Sequence, residues 1–160
     1  MDHPEKLRGF PLISGLAADD REAFVKLLKP VRFPAGTDII TEGDTGSDMY
    51  FLLEGSVEII RRTIFGDSFV CASLSDKQHS VFGEMALIDS DRRSATVRAQ
   101  TECDTLVISR EDFTAYTESH PAAGVQLLRF ISVNLVRNIR AENENLNLVY
   151  QALIEEIESN

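Results

Sequence analysis

FGEMALIDSDRRSATV, residues 82–97, is the stretch from which the fold of this 160-residue chain can be worked out. A short strand is predicted to end at Phe82, Gly83 permits a sharp turn of the backbone, and a short helix is predicted from Glu84 to Ile88. A polar turn follows, and a second strand is predicted from Ala95 to Ala99. The stretch therefore predicts a strand, a glycine turn, a short helix, a loop and a strand.

The glycine turn has the features of an anion-binding site. Gly83 lets the backbone approach a ligand closely, and the N–H groups of Glu84, Met85 and Ala86 are expected to have no partner inside the helix. Unpaired donors and the positive end of the helix dipole both attract an anion. We therefore predict that residues 83–86 bind an anionic group.

Three side chains in the same stretch narrow the kind of ligand. Arg93 can make two parallel charge-assisted bonds to a phosphate, and Ser94 can add a neutral one. The carboxylate of Glu84 would be out of place in a simple phosphate site, but it can accept a hydrogen bond from a ligand hydroxyl. A ligand that carries both a phosphate and a ribose would explain all three residues.

These residues resemble the phosphate-binding cassette of cyclic-nucleotide-binding domains of the catabolite-activator-protein-like kind. The family pattern is roughly Phe-Gly-Glu-Leu-Ala-Leu, a short loop and Pro-Arg-x-Ala-Thr-Val. The chain departs from it at Met85, in place of leucine, and at Arg92, in place of proline. It matches the pattern at Phe82, Gly83, Glu84, Ala86, Leu87, Arg93, Ala95, Thr96 and Val97.

The resemblance implies a ligand and a role for each residue. Glu84 is expected to take the ribose 2′-hydroxyl of cAMP or cGMP, and Arg93 is expected to take the cyclic phosphate. Thr96 joins the candidate ligand-binding residues because it belongs to the matched pattern. No cofactor is expected besides this nucleotide, and no metal site or catalytic residue.

Short strands with polar turns between them predict a mainly β domain with flanking helices. At intervals of 8–12 residues, they favour an eight-stranded antiparallel jelly-roll barrel, a double-stranded β-helix, over residues 31–109. Gly43, Gly46 and Gly55 are predicted to lie in turns that need positive φ. The strands are predicted at residues 31–33, 38–41, 49–53, 57–61, 68–74, 80–82, 95–99 and 103–108.

Helices are predicted on both sides of the barrel, within one domain that covers residues 1–160. Residues 4–30 are predicted to be helical, and Pro30 is expected to end that segment. Residues 110–159 are predicted to form C-terminal helices, with a capping box at Ser109 and a break at His120-Pro121. The helix after Pro121 could exceed about 50 Å, at about 1.5 Å per residue, which is longer than a small barrel is wide.

Apolar residues recur along this long helix at the spacing of a coiled coil. Ser132 and Glu142 interrupt the pattern with polar side chains. The repeat predicts either packing on the chain's own barrel or a parallel homodimer, and we favour the homodimer. It consists of Leu128, Leu135, Ile139, Leu146, Val149 and Leu153, with a second seam at Leu146, Tyr150, Leu153 and Ile157.

The polar tract at residues 142–145 is predicted to face the ligand or to bend the helix. By comparison with the family, Glu142 and Asn143 are candidate contacts to the nucleobase, although both are equally explained as solvated helix residues. A carboxylate accepts hydrogen bonds from guanine or from the adenine amino group, and an amide can serve either base. Ser94 can also reach the guanine amino group. The pattern does not choose between cAMP and cGMP.

Composition excludes several other classes. The net charge of −10 argues against broad contact with nucleic acid. No apolar run approaches the roughly 20 residues that span a membrane, and the first residues lack a signal-peptide pattern, so we expect a cytoplasmic protein with no membrane partner. Cys71 and Cys103 are predicted to be buried thiols, since no Cys-x-x-Cys motif or Cys/His cluster is present.

The sequence thus predicts a non-enzymatic sensor that transmits nucleotide binding through its C-terminal helix. The family's transcription regulators carry a DNA-binding module after this helix, for which residues up to Asn160 leave no room. The expected output is therefore a protein partner or the oligomeric state. The alternatives are an assembly module whose pocket is not used, and a haem or iron–sulfur sensor, which would need ligands that the sequence does not supply.

Overall fold

The computed structural model of the chain describes residues 3–158, and eight of its segments are β-strands. The strands form two four-stranded antiparallel sheets, in the orders β1-β8-β3-β6 and β2-β7-β4-β5. Their bounds are β1 Lys29–Phe33, β2 Asp38–Ile40, β3 Asp48–Glu54, β4 Ser56–Arg62, β5 Ser68–Ser75, β6 Val81–Phe82, β7 Thr96–Ala99 and β8 Cys103–Ser109.

The mainly β jelly roll with flanking helices is confirmed, and its barrel is not closed. The two sheets face each other without joining at their edges. A reason lies in β6, which has two residues and pairs with β3 only at Tyr50–Phe82 and Phe51–Val81. So short an edge strand cannot supply the ladder of hydrogen bonds that closure needs.

Five helices flank the sheets: α1 His3–Leu7, α2 Pro11–Ser14, α3 Ala18–Val25, α4 Arg110–Ser119 and α5 Pro121–Glu158. The predicted N-terminal helical segment at residues 4–30 consists of three short helices, and β1 already starts at Lys29, one residue before Pro30, which is expected to end the segment. Phe10 precedes a proline and has extended backbone angles, φ −78° and ψ 120°, so a single helix cannot run through it.

The C-terminal helices follow the prediction closely. The Ser109 hydroxyl accepts a bond from the Asp112 N–H and caps α4. His120 leaves helical geometry, with φ −127° and ψ 67°, and α5 begins at Pro121. Within the described residues α5 then runs for 38 residues, roughly 57 Å at about 1.5 Å per residue, and residues 142–145 do not interrupt it.

The core consists of two apolar clusters. The larger one joins the helices to β3 and β8 and includes Phe24, Phe51, Leu106 and Leu127. The smaller one fills the space between the two sheets, around residues such as Leu52 and Val97. Helix α5 contributes buried residues only in its first turns, at Ala123, Gly124, Leu127 and Ile131.

The predicted burial of Cys71 and the predicted positive φ of Gly46 are both wrong. Cys103 is buried as predicted, but Cys71 is exposed. Cys71 lies on β5, an edge strand whose residues 68–73 are all exposed. Gly43 and Gly55 have positive φ as predicted, +86° and +97°, whereas Gly46 does not lie in the left-handed region.

Candidate functional site

The candidate site is built on the turn between β6 and β7. Gly83 has φ +78°, in the left-handed region that glycine adopts without strain. The residues after it, Glu84–Leu87, form a 3₁₀ turn that ends one residue before the predicted short helix does, and the Ala86 N–H donates to the Gly83 carbonyl at 3.2 Å. The prediction that Ala86 offers a free donor is therefore wrong, because the tighter turn already uses that donor.

Arg93 returns to this turn from the start of the following strand. Its Nη1 donates to the Gly83 carbonyl at 3.3 Å, and its Nη2 donates to the Asp48 carbonyl at 2.9 Å. A guanidinium has five N–H donors, so these two bonds leave three for other partners. The side chain is half-buried, and we expect little freedom of orientation.

The backbone of Arg93 is tied to the loop before β3. The Arg93 N–H donates to the Asp44 carbonyl and the Gly43 N–H donates to the Arg93 carbonyl, both at 2.9 Å. This pair of bonds has the form of a short antiparallel ladder. Both the main chain and the side chain of Arg93 are therefore fixed by residues 43–48.

Glu84 adds a negative charge directly beside Gly83. Burial raises the pKa of its carboxyl group, while its own backbone N–H and the charge of Arg93 act in the opposite direction. A carboxylate held away from water is costly unless it finds hydrogen-bond donors. The structure thus brings Glu84 and Arg93 together on either side of one glycine, as the sequence predicted.

The neighbouring candidate ligand-binding residues differ in their exposure to solvent. Met85 and Ser94 are both exposed, and the Ser94 hydroxyl lies 3.9 Å from the Met85 sulfur, so these two residues lie side by side. Thr96 is buried instead, and its hydroxyl oxygen accepts a bond from the Glu42 N–H at 3.0 Å. That hydroxyl oxygen already has a structural partner on the loop after β2.

The two candidates on α5 are exposed and lie near the second sheet. Glu142 lies 3.6 Å from the Arg61 guanidinium on β4. Strand β4 pairs with β7, where Ile60 is opposite Thr96. Helix α5 therefore passes the sheet that carries Thr96, with Asn143 exposed next to Glu142.

Sequence reasoning missed Arg110, which holds the 3₁₀ turn from the other side. Its Nε donates to the Ala86 carbonyl at 2.5 Å, its Nη1 donates to the Ser90 hydroxyl at 3.1 Å, and its backbone N–H donates to the Ser47 carbonyl at 2.7 Å. Arg110 is the first residue of α4, where the helix dipole disfavours a cation. That mismatch was the available signal that Arg110 has a partner elsewhere.

Two surveys of the described residues returned negative results. Between residues 3 and 158, no helix combines the length and the hydropathy needed to cross a membrane. The same part of the chain has no group of three or more His, Cys, Asp or Glu side chains that could hold a metal ion.

Relatives of known function share much of this chain. The Cyclic AMP receptor protein of Thermus thermophilus is 29% identical over 143 residues, which are 89% of this chain and 63% of that protein. The cAMP-dependent protein kinase regulatory subunit of Emericella nidulans is 36% identical over 107 residues, or 67% of this chain and 25% of that protein. The chain therefore spans less than two thirds of the length of these curated relatives.

Solved structures have the same fold. The Thermus thermophilus Catabolite Activator Protein superimposes with a TM-score of 0.74 at 29% identity, covering 87% of this chain and 62% of that one. The N-terminal domain of a transcriptional regulator from Streptomyces coelicolor gives 0.71 at 26% identity, covering 86% and 94%.

The family model described as the cyclic nucleotide-binding domain matches residues 30–120. The matched region includes Glu84, Arg93 and Arg110, and it ends before Glu142 and Asn143. It covers more than half of the chain, and it confirms the resemblance found at residues 82–97. The chain belongs to the cyclic nucleotide-binding domain family.

Proposed function

We propose that the chain is a non-enzymatic sensor that binds cAMP or cGMP at the Gly83 turn and transmits binding through α5. The observation that carries this proposal is the placement of Arg93 and Glu84 around one glycine, with Arg93 bonded to the Gly83 carbonyl and the partly buried Glu84 as the next residue. A cyclic nucleotide offers an anion and a sugar hydroxyl a short distance apart, which matches a cation and an acceptor so placed.

The phosphate end of the ligand is assigned to Arg93. Three of its five N–H groups remain after the bonds to the Gly83 and Asp48 carbonyls, and those bonds hold the guanidinium ready for a ligand. Ser94 is exposed beside it and can add a neutral bond. Each charge-assisted bond contributes about 1.5–3 kcal/mol, so loss of two of them would weaken binding by well over tenfold.

The sugar end is assigned to Glu84. Glu84 is partly buried, and the Arg93 nitrogens bond to backbone carbonyls. A ribose 2′-hydroxyl would donate to this carboxylate and so offset part of the cost of burying it. A deoxyribose ligand lacks that donor and is expected to bind more weakly.

The base end is left to Ser94 and the polar residues of α5. Glu142 already meets Arg61 across the second sheet, which supports a role for this part of the helix near the pocket. Ser94 and Asn143 can each serve adenine or guanine. The curated relatives named above are called cAMP proteins, which favours cAMP as the first ligand to test.

Transmission to α5 is supported by two contacts of the 3₁₀ turn. Arg110 binds the Ala86 carbonyl and is also the first residue of α4, which leads directly into α5. Leu87 belongs to the same apolar cluster as Leu127 and Ile131 of α5. A nucleotide that shifts the turn would therefore favour one position of α5 over another, provided that it binds the two arrangements unequally.

The partner that we assign to the rest of α5 is a second copy of this chain. After Ile131, none of the described α5 side chains is buried, although many of them are large and apolar. Their spacing follows the 3–4 repeat of a two-stranded coiled coil. The exposed members of the repeat are Leu128, Ile139, Leu146, Val149 and Leu153, at 40–63% exposure.

Calorimetric titration tests the ligand assignment. The protein is titrated with cAMP, cGMP and the linear 5′-monophosphates, and at least one cyclic nucleotide is expected to bind more tightly than its linear form. Arg93→Ala should weaken that binding at least tenfold. The matched control is Arg98→Ala, which removes an arginine of the same strand region whose partner is the exposed Asp38 carboxylate, and it should change affinity less than twofold.

Two results would contradict the proposal. The pocket is not used as a nucleotide site if neither cyclic nucleotide releases or absorbs heat and neither raises the melting temperature at millimolar concentration. The chain would then be an assembly module with the same fold. Equal loss of affinity in Arg93→Ala and Arg98→Ala would mean that the phosphate does not depend on Arg93.

Sedimentation equilibrium tests the dimer. The chain is expected to sediment as a dimer at micromolar concentration, and Leu146→Glu should convert it to a monomer because the new charge lies in the apolar seam. Asn147→Glu introduces the same charge on the adjacent residue, which lies outside the repeat, and should leave the dimer intact. A wild-type monomer at that concentration would remove this part of the proposal.

A further inference from the structure

Gly46 is a glycine whose backbone conformation does not require one. Gly43, Gly55 and Gly83 have φ between +78° and +97°, a region that other residues enter only with strain. Gly46 lies outside that region, so an alanine could adopt its backbone angles. The reason for glycine at this position must therefore be sought in its surroundings.

The surroundings of Gly46 are the guanidinium group of Arg93. A Cβ atom placed on Gly46 would lie 2.6 Å from Arg93 Nε, 2.8 Å from Nη2 and 3.0 Å from Cζ. The fourth heavy atom of the group, Nη1, would lie 3.0 Å from a Cβ on Gly83. Every heavy atom of the guanidinium thus occupies space that a side chain at one of these two glycines would fill.

We call this arrangement the guanidinium slot, formed by Gly46, Gly83 and the Asp48 carbonyl. The carbonyls of Asp48 and Gly83 hold two of the nitrogens by hydrogen bonds, and the bare Cα of Gly46 allows the group to lie against the loop. The slot therefore sets where the remaining three donors of Arg93 can meet a ligand.

We infer that Gly46 is a positioning residue for ligand binding: its missing side chain keeps the Arg93 guanidinium seated between the loop before β3 and the Gly83 turn. The inference rests on the proposed function, in which Arg93 receives the phosphate. The three atoms that an alanine at 46 would approach most closely all belong to the far end of the Arg93 side chain, so the clash is relieved by moving the guanidinium rather than the backbone. The expected effect of the substitution is therefore a displacement of the Arg93 N–H donors.

A substitution at Gly83 would not test the position of the Arg93 guanidinium alone. A Cβ on Gly83 would also meet the Asp48 carbonyl oxygen at 2.8 Å, and its φ of +78° would strain any other residue. A substitution at Gly83 therefore damages the backbone as well as the slot. Gly46 is the position at which the slot can be changed with the fold retained.

The test compares Gly46→Ala with Gly15→Ala. Gly15 also has an ordinary φ, −75°, and a Cβ there would meet its nearest atom, the Pro11 carbonyl oxygen, at 3.6 Å. Gly46→Ala should weaken cAMP or cGMP binding by about tenfold or more, and Gly15→Ala by less than twofold. In an Arg93→Ala background, Gly46→Ala should weaken the remaining binding by less than twofold, because the group that it displaces is gone.

A second readout does not depend on nucleotide binding. The Nε–H resonance of Arg93, assigned by its loss in Arg93→Lys, should shift and broaden in Gly46→Ala and stay unchanged in Gly15→Ala. If the wild-type protein binds neither nucleotide, the proposed function fails while this spectrum still tests the slot. An unchanged resonance together with unchanged affinity in Gly46→Ala would overturn the inference.

The double variant covers the case in which Gly46→Ala does not fold. If the guanidinium is the obstacle, Gly46→Ala combined with Arg93→Ala should recover the melting temperature of Arg93→Ala alone. A double variant that also fails to fold would mean that the loop itself needs glycine at position 46, and the positioning role would be wrong.

Discussion

The Gly83 turn and residues 132–158 of α5 differ in how firmly the rest of the chain holds them. At the turn, Arg93 has its backbone tied to Gly43 and Asp44 and its side chain tied to Asp48 and Gly83. Along α5 from residue 132 to residue 158, none of the described side chains is buried, although apolar residues recur. Contacts within the chain fix the Gly83 turn. The exposed apolar residues of α5 have the pattern of a surface that packs against a partner.

This difference teaches where each kind of function is expected. A ligand site needs groups held in position before the ligand arrives, since ordering them on binding would cost affinity. A regulated helix needs the reverse, because it must be able to take more than one position at low cost. The 3₁₀ turn is bonded to α4 through Arg110, and through Leu87 it shares an apolar cluster with the buried start of α5.

The largest expected effect is on the free energy of unfolding, and it differs between the two ends of α5. Leu127 is fully buried in the main core, so Leu127→Ala should lower the free energy of unfolding by about 2–5 kcal/mol. Leu146 is half exposed in one chain, so Leu146→Ala should cost about 0.5 kcal/mol or less at concentrations where the protein is monomeric. Urea unfolding at two protein concentrations measures both. A large loss for Leu146→Ala in the monomer would mean that α5 folds back on its own chain.

The next effect tests the link between the regions. Arg110→Ala removes the donor from the buried Ala86 carbonyl, which should lower the free energy of unfolding by about 1–3 kcal/mol. It should also weaken cyclic nucleotide binding several-fold, because the 3₁₀ turn loses its support. Arg129→Ala, at an exposed position on α5, is the control and should change neither quantity appreciably. Unchanged nucleotide affinity in Arg110→Ala would separate the site from α4.

Glu84→Gln should change binding and stability in opposite directions. The neutral amide is a weaker acceptor for a ribose hydroxyl, so affinity should fall by about tenfold, as for one bond to a charged group. The free protein should melt at a higher temperature at neutral pH, because a buried charge has been removed. Calorimetric titration and thermal unfolding measure the two effects. A variant with lower stability would show that Glu84 has a structural partner.

The smallest effect is a pH dependence with a defined sign. Burial raises the pKa of Glu84, so its carboxyl group takes up a proton at a higher pH than an exposed glutamate. The destabilisation from the partly buried charge is present above this pKa and is relieved as the pH falls through it towards the ordinary value of an exposed glutamate. Nucleotide affinity should be constant near pH 8 and should fall as the pH drops through the raised pKa of Glu84, and the Glu84→Gln variant should show a flatter profile. Parallel profiles for the two proteins would exclude Glu84 as the titrating group.

Local patterns predicted most of the fold and the proximity of Glu84 and Arg93. Alternation and turn residues located the eight strands, the Ser109 cap located α4, and Pro121 located the start of α5. Glu84 and Arg93 were found because the residues between them form one short motif. Strands, helix ends and short motifs depend on residues that are close together in the chain, so the sequence alone reveals them.

The remaining features depend on contacts between distant residues. Arg110 supports Ala86 across 24 positions, and Gly46 accommodates Arg93 across 47 positions, so neither role leaves a local pattern. The open edge at β6 depends on how far β6 pairs with β3, and the exposure of Cys71 depends on β5 being the edge of the other sheet. Glu142 meets Arg61 only because α5 crosses the second sheet, and its proposed contact with the base stays a prediction.

The most direct test of the central claim is a crystal structure of the protein grown with the cyclic nucleotide that binds more tightly. The account predicts the cyclic phosphate within about 3 Å of the Arg93 guanidinium nitrogens and the ribose 2′-hydroxyl within the same distance of the Glu84 carboxylate. A nucleotide bound elsewhere, or one bound here with its phosphate away from Arg93 and its ribose away from Glu84, would contradict it.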